Sequence, residues 1–407
     1  MRFAVGALVA AAVAASLSAC GGHSPGTPGG KTPGDTLTIY SSLPLRGPQA
    51  AVAESMVGGE KLALAETGGT IGGLTVKFVS LDSSSGDAGI DPTVAALNAR
   101  AAIRDASTIG YIGELDYDAS AISIPLLNAG GVAQVSPGAA YAGFTARAPG
   151  VPAGEPDLWY PSGVRTFARV VPSATQEAVV QATWQAAQGC RITLIVTDGS
   201  PAATAFGAAA KDALKAAGVT SQGPWKGDAT NPYAGAPPTA LFAEPNCVLV
   251  TGSDDPVGMW NTLHRQLPKA LLFAPAGLLT ADAVAALDPG AQAATRVTRP
   301  VVGAREQPAT ADAVEARYRK AFGRAPEPEM LLGYEAMKVI LEAVRLAGDG
   351  AQSRTAVARA LHRVRRPSST LGTYAIRADG DTTLARFGGW TVSGGTLRFA
   401  RVLDAGV

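Results

Sequence analysis

Histidine, cysteine and charge are all scarce in this chain of 407 residues, which holds three histidines, three cysteines and 16% charged residues. His23, His264 and His362 fall in a Gly/Pro-rich stretch and on two separate predicted helices, so no metal-ligand spacing exists. There is no Gly-x-Ser-x-Gly elbow, and Ser136 has no histidine close in sequence to activate it. An enzyme is therefore not expected, and neither is a metal or a cofactor. The formal net charge is +1, with no basic stripe and no acidic tail, which argues against a nucleic-acid partner. Hydrophobic residues make up 47%, so the chain is not disordered, and its length suffices for two domains with separate cores.

The amino terminus reads as an address. Met1-Arg2 is followed by an apolar run, Phe3 to Ala15, too short for a stable transmembrane span. Leu17-Ser18-Ala19-Cys20 then resembles a bacterial lipobox. The resemblance implies a signal peptide over 1–19, cleavage before Cys20 and a diacylglyceryl group on its thiol. The mature protein would be held at the outer face of the cytoplasmic membrane without crossing it. Residues 20–36 are rich in Gly, Pro, Ser and Thr and read as a flexible tether. Gly30-Lys31-Thr32 looks like the end of a phosphate loop, but Pro25 stands where the first glycine is required.

From Leu37 onward, strands and helices alternate. Leu37–Ser42 reads as a strand, and Val52, Met56, Gly59 and Ala63 form one face of a helix. Leu74–Leu81, Pro92–Asp105 and Thr108–Gly113 follow as strand, helix and strand. A helix over Ala119–Ala129 and a short strand, Val132–Val135, complete the run. Tyr141 to Pro161 breaks the alternation and reads as an irregular surface excursion. A second unit starts near Val164, with strands at Arg165–Val171, Arg191–Val196, Cys247–Thr251, Ala270–Phe273 and Val297–Val302. Its helices are Ser173–Gln188, Thr204–Ala217, Pro256–Leu267 and Thr280–Leu287. Helices at Ala311–Phe322, Pro328–Ala347 and Ser353–Val364 come next. A β pair, Leu371–Ile376 with Phe387–Val392, is expected to turn at Asp379-Gly380. The pattern predicts an α/β protein of two doubly wound parallel-sheet lobes. Ligands of such sheets bind at the carboxyl ends of strands, which points to the loops flanking Thr108–Thr145.

Removing Cys20 leaves Cys190 and Cys247, each just before an apolar strand. In a doubly wound order those strands are neighbours, so an exported protein would join them as a disulfide; the alternative is two buried thiols.

Four ordered segments resemble the Leu/Ile/Val-binding, type I periplasmic solute receptors that serve ABC importers. They are Pro44-Leu45-Arg46-Gly47-Pro48; Gly113 to Asn128 running into Val135-Ser136-Pro137-Gly138-Ala139; Arg169-Val170-Val171-Pro172-Ser173 with Gln176; and Tyr318 to Gly348. Gly380-Asp381 is similar to that family's closing hairpin. The resemblance implies two lobes joined by three hinge crossings and closing on a ligand. The crossings are expected near Arg165–Val171, Val297–Gly303 and Pro367–Tyr374. Lobe one would hold 37–166 plus 302–368, and lobe two 167–301 plus 369–407. The partners implied are a small polar solute and an ABC permease, with the receptor a monomer.

Residue by residue, the amino-acid clamp is altered. Tyr117 stands where similar proteins have a serine, and Ala140 where they have a threonine, while Gly138 after Ser136-Pro137 retains a backbone donor. In the second lobe Ala202, Asp254 or Asp255, and Ala276 stand at the positions of two tyrosines and an acid. Glu114, Asp116, Asp118, Asp254 and Asp255 are acceptors when ionised, which favours a cationic or hydroxyl-rich ligand. Tyr117 offers an aromatic face for it. The alternative for Asp118 and Asp255 is helix capping, and for Tyr117 the filling of a smaller pocket. Other functions consistent with the same clamp are a lipid-anchored sensor with a signalling partner, an enzyme with catalytic groups brought together only in space, and a scaffold that binds nothing. The disulfide has its own test: thiol titration of denatured, unreduced protein should find Cys190 and Cys247 unreactive, and two reactive thiols would remove the bridge.

Overall fold

The structure, a computed structural model, describes residues 31–237 and 244–406. The predicted signal peptide, Cys20 and most of the tether lie outside the described residues. The first sheet is built from β1 (Thr36–Leu43), β2 (Thr70–Ile71), β3 (Leu74–Asp82), β4 (Thr108–Ile112), β5 (Ala133–Ser136) and β6 (Phe167–Arg169), in the order β2-β3-β1-β4-β5-β6. All its pairings are parallel except β2 with β3. The helices α1 (Ala50–Ala65), α2 (Pro92–Arg104) and α3 (Tyr117–Ala129) make the crossovers.

The chain then builds α4 (Ala174–Ala187), β7 (Ile192–Thr197), α5 (Pro201–Ala216), β8 (Thr220–Lys226), β9 (Cys247–Val250), α6 (Pro256–Gln266), β10 (Leu271–Ala274), α7 (Ala281–Ala285), α8 (Pro289–Ala294) and β11 (Thr295–Arg299). It goes back to the first sheet with α9 (Ala309–Phe322), α10 (Met330–Ala347) and α11 (Arg354–Leu361). The remaining elements are β12 (Arg365–Ser369), β13 (Gly372–Ala375), β14 (Arg386–Ser393) and β15 (Thr396–Asp404). The second sheet runs β15-β14-β11-β10-β9-β7-β8, parallel from β11 to β8 and antiparallel at β14 and β15. Two doubly wound α/β lobes result, as the alternation predicts.

Small residues let the helices of lobe one approach closely. A Cβ on Gly59 would strike the backbone of Met330, and one on Gly333 the backbone of Met56, so α1 and α10 cross with their backbones in contact. Gly110 makes room in the same way for Ile340, which seats α10 on β4. The chain starts its helices with the caps its sequence carries. Ser173 and Gln176 form a reciprocal capping box on α4, and Asp91 and Ser200 accept from the first turns of α2 and α5.

Several expectations are corrected. Arg165–Val171 does not open the second unit, because β6 pairs with β5 as the last strand of sheet one. Leu371–Ile376 and Phe387–Val392 do not pair with each other. Instead β13 pairs with β12, and β14 lies between β11 and β15 with its turn at Gly394-Gly395. The β12–β13 hairpin stays against lobe one because buried Glu335 on α10 grips it. That carboxylate accepts from the Thr370 N–H (2.9 Å), the Tyr374 hydroxyl (2.9 Å) and Arg366 Nε (3.0 Å). The chain leaves this hairpin after β13 and reaches the second sheet at β14, so the passage between them lies beyond the expected Pro367–Tyr374. Tyr141 to Pro161 is irregular but not superficial: Tyr141, Phe144, Trp159 and Tyr160 are buried. The bridge between Cys190 and Cys247 is present, joining adjacent strands with a Cα separation of 5.7 Å.

One core residue breaks the apolar pattern. Glu60 on α1 is fully buried, and neither carboxylate oxygen has a hydrogen-bond partner. Burial pushes its pKa up to about 8, against the opposite pull of the nearby Ser41 hydroxyl and the Lys61 charge. The folded state then holds a proton that the unfolded chain releases above about pH 4.5, so this group's stability is lost as pH rises from there through about 8. Glu60→Gln should reduce the fall in melting temperature between pH 5 and pH 8, as measured by thermal denaturation at both values.

Candidate functional site

In open α/β sheets ligands bind beside the loops at the carboxyl ends of the parallel strands, and both sheets here carry such loops. In lobe one these follow β1, β3, β4 and β5. The loop after β1 is pinned by Asp82, which accepts from the Leu45 N–H (3.0 Å), Arg46 Nε (2.8 Å) and the Ser84 N–H (2.9 Å). Although burial raises the Asp82 pKa, Ser84, Arg46 and Leu45 together hold it at about 2. Arg46 stays half-exposed, a cation at the lobe-one mouth that the sequence reading passed over as a site residue.

Asp116, Tyr117, Ser136 and Gly138 come together at the ends of the adjacent strands β4 and β5. Helix α3 begins two residues earlier than expected, so its cap is Asp116, which accepts from the Ala119 N–H (3.0 Å). Asp118 lies exposed in the first turn and does not cap the helix. Burial raises the Asp116 pKa to about 6, and the Asp118 charge adds to the shift. Glu114 is not a cleft-lining acceptor but a buried group. It accepts from the Tyr111 hydroxyl (2.7 Å) and the Ser42 hydroxyl (3.2 Å), and burial raises its pKa to about 8.

The retained backbone donor is already engaged. Ser136 Oγ donates to the Glu114 carbonyl (2.6 Å) and accepts from the N–H groups of Gly138 (3.1 Å) and Ala139 (2.7 Å). The Ala140 carbonyl accepts from the Ala174 N–H at 2.7 Å. Tyr117 is half-buried and meets Tyr141 edge-on at 4.7 Å and Phe144 face-on at 5.6 Å, so it belongs to an aromatic wall. Ala202 on α5 packs against the same cluster.

In lobe two, Asp255 caps α6 by accepting from the Gly258 N–H (2.9 Å), and Asp254 beside it is exposed. Among the described residues, no hydrogen bond or ion pair links either acid to Asp116 or Asp118. The sequence reading did not single out Glu177 on α4. Fully buried, it accepts from the Ala276 N–H (2.6 Å) and the Thr298 hydroxyl (2.5 Å), and burial lifts its pKa to about 7. Its spacing to buried Gln181, one helical turn away, is the signal that marks a polar stripe on a helix face otherwise built for the core.

Behind the site, the crossings are tied by Arg169. It has no exposed side-chain surface and donates to Asp381 (2.8 Å from Nε), the Tyr141 carbonyl (2.6 Å) and the Thr145 hydroxyl (2.7 Å). An arginine inside the apolar run Phe167–Val171 is a legible sign that a buried anion lies nearby. The second crossing has its own pair, Arg299 with Glu329 (2.7 Å), with Arg299 also over the Trp390 ring.

A family model described as periplasmic binding protein matches residues 36–387. A search of curated proteins finds no match. Among solved structures, a leucine-binding protein of Thermotoga maritima aligns with a TM-score of 0.73 at 19% identity, covering 90% of this chain and 99% of that one. A branched-chain amino acid transporter substrate-binding protein of Streptococcus pneumoniae, in complex with isoleucine, gives 0.70 at 16% identity over 91% and 99%. An ABC-transporter solute-binding protein of R. palustris, in complex with benzoate, gives 0.68 at 18% over 90% and 96%.

Replacing Arg169 with methionine leaves Asp381 and the Ala139 and Tyr141 carbonyls without their donor. Removing one partner of a buried pair costs about 3–5 kcal/mol. Denaturant unfolding of Arg169→Met should show a loss of that size, and a loss near zero would mean that the crossings are held without it.

Proposed function

Because the chain belongs to the periplasmic binding protein family, we propose that it is a lipid-anchored receptor that closes on a small solute outside the cytoplasm and presents it to an ABC permease. Cys20 would carry the anchor, and the Gly/Pro-rich tether would give the lobes reach from the membrane.

The observation that carries the choice of cargo is that several backbone donors at these strand ends, which would suit a carboxylate, are bonded within the chain, and Arg46 is paired with Asp82. The helices that begin beyond β4, β7 and β9 are capped by Asp116, Ser200 and Asp255. Ser136 holds the N–H groups of Gly138 and Ala139. A ligand carboxylate approaching α3 would meet the Asp116 and Asp118 charges where it needs donors. An amine or a hydroxyl-rich solute finds acceptors there and a half-exposed tyrosine face. The structural neighbours hold leucine-type amino acids or benzoate; at under a fifth identity they support the clamp and leave the cargo open.

A thermal-shift screen of amines, polyols, small amides, leucine and benzoate tests this reading. A ligand at 100 times its dissociation constant stabilises by about 2.7 kcal/mol. Stabilisation by an amine or polyol and not by leucine or benzoate is expected. An amine should bind more tightly as pH rises from 5 to 7, because Asp116 ionises around 6. Asp116→Asn keeps a good helix cap and should abolish that amine response. A shift with leucine or benzoate alone would overturn the cargo assignment.

A further inference from the structure

Residues 141–161 join the two lobes at a place that is not one of the crossings. The segment is a rigid part of lobe one. The Tyr141 hydroxyl donates to Glu155 (2.7 Å), Trp159 Nε1 to the Gly143 carbonyl (3.0 Å) and the Tyr160 hydroxyl to the Phe144 carbonyl (2.7 Å). Its rings pack on Ile124 of α3 and Phe167 of β6, and the Arg165 guanidinium covers the Tyr160 ring at 4.3 Å. The loop is therefore stapled to itself and to the first sheet.

Its far end rests on α5, in the other lobe. A Cβ at Gly150 would lie 2.7 Å from the Ala208 Cβ and 2.9 Å from the Ala205 Cα, and the Gly150 φ of +75° also favours glycine. Val151 joins Ala202 and Ala205 in the aromatic cluster, and Ala205 is 4% exposed. The crevice beside this contact, between Tyr141 or Pro149 and Ala205 or Phe206, is too narrow to admit water. The α5 atoms nearest Gly150 are the Ala208 Cβ, the Ala205 Cα and the Thr204 carbonyl oxygen, so the fit there depends on smallness on both sides.

We propose that residues 141–161 are a strap that clasps α5 of the other lobe, so that the arrangement of the two lobes seen here is favoured by the chain's own apolar contact before any ligand arrives. Opening the hinge then means lifting Gly150 and Val151 off Ala205 and Ala208, which exposes apolar surface to water. The inference does not depend on the identity of the cargo, since it concerns the empty receptor.

The test is small-angle X-ray scattering of the ligand-free protein. Wild type should give the radius of gyration calculated from this structure. Ala208→Arg suits a helix but wedges the contact apart, and Val151→Asp attacks it from the strap. Both variants should shift to a larger radius of gyration, with far-UV circular dichroism unchanged as the control for folding. Scattering identical to wild type in both variants would overturn the strap. So would a wild-type particle already as extended as the variants.

Discussion

The guanidinium of Arg169 is buried without exposed surface, and the carboxylate that answers it, Asp381, lies 212 residues further along the chain. A charge so far from water is tolerable only when its donors are met, and here a carboxylate, two carbonyls and a hydroxyl meet them. Because these partners sit on the strap, the β5 loop and the third crossing, the network registers several parts of the hinge against one strand. The main chain adds to it, since the Arg169 N–H donates to the Gly380 carbonyl (3.0 Å). The loops at the mouth of lobe one hang from this frame, and with them the positions of Ser136, Gly138 and Tyr117.

Much of the alternation was legible because it is written in periods of two and 3.6, which hold wherever an element buries one face. The pairing of Cys190 with Cys247 was legible for a topological reason: doubly wound order makes β7 and β9 neighbours. Strand β8 is hard to see in the sequence because it contains Gly223-Pro224, a pair common in turns, yet proline is tolerated at the sheet edge that β8 occupies. The signal at Asp379-Gly380 did mark a turn, but a turn says nothing of which strands pair. Gly380 is needed there because a Cβ would strike the Phe167 carbonyl. The strap reads as surface because glycines and prolines break the alternation there; its rings follow no period, and tertiary packing on α3 and α5 orders them. At the site, acids were legible as residue types but not as roles, since Asp116 and Asp118 exchange the parts of cap and neighbour when α3 starts two residues earlier.

Three glutamates, Glu60, Glu114 and Glu177, lie inside the two lobes with their pKa values raised by burial. Their surroundings differ. Glu114 and Glu177 are bonded to hydroxyls and a backbone N–H near strand ends, where they brace the loops, whereas Glu60 on α1 is buried with its oxygens unpaired. The first two read as supports of the cleft, bought at some cost in desolvation. The last has no such partner to account for it.

The Cys190–Cys247 bridge also changes the connectivity of lobe two. The bond closes the 57-residue separation that contains β7, α5 and β8 into a covalent ring. A protease that cuts once inside that ring releases no fragment, because both new ends remain attached to the body of the lobe. A receptor outside the cytoplasm is thereby protected at the helix its strap leans on: a nick there leaves the molecule in one covalent piece until a reductant opens the bridge.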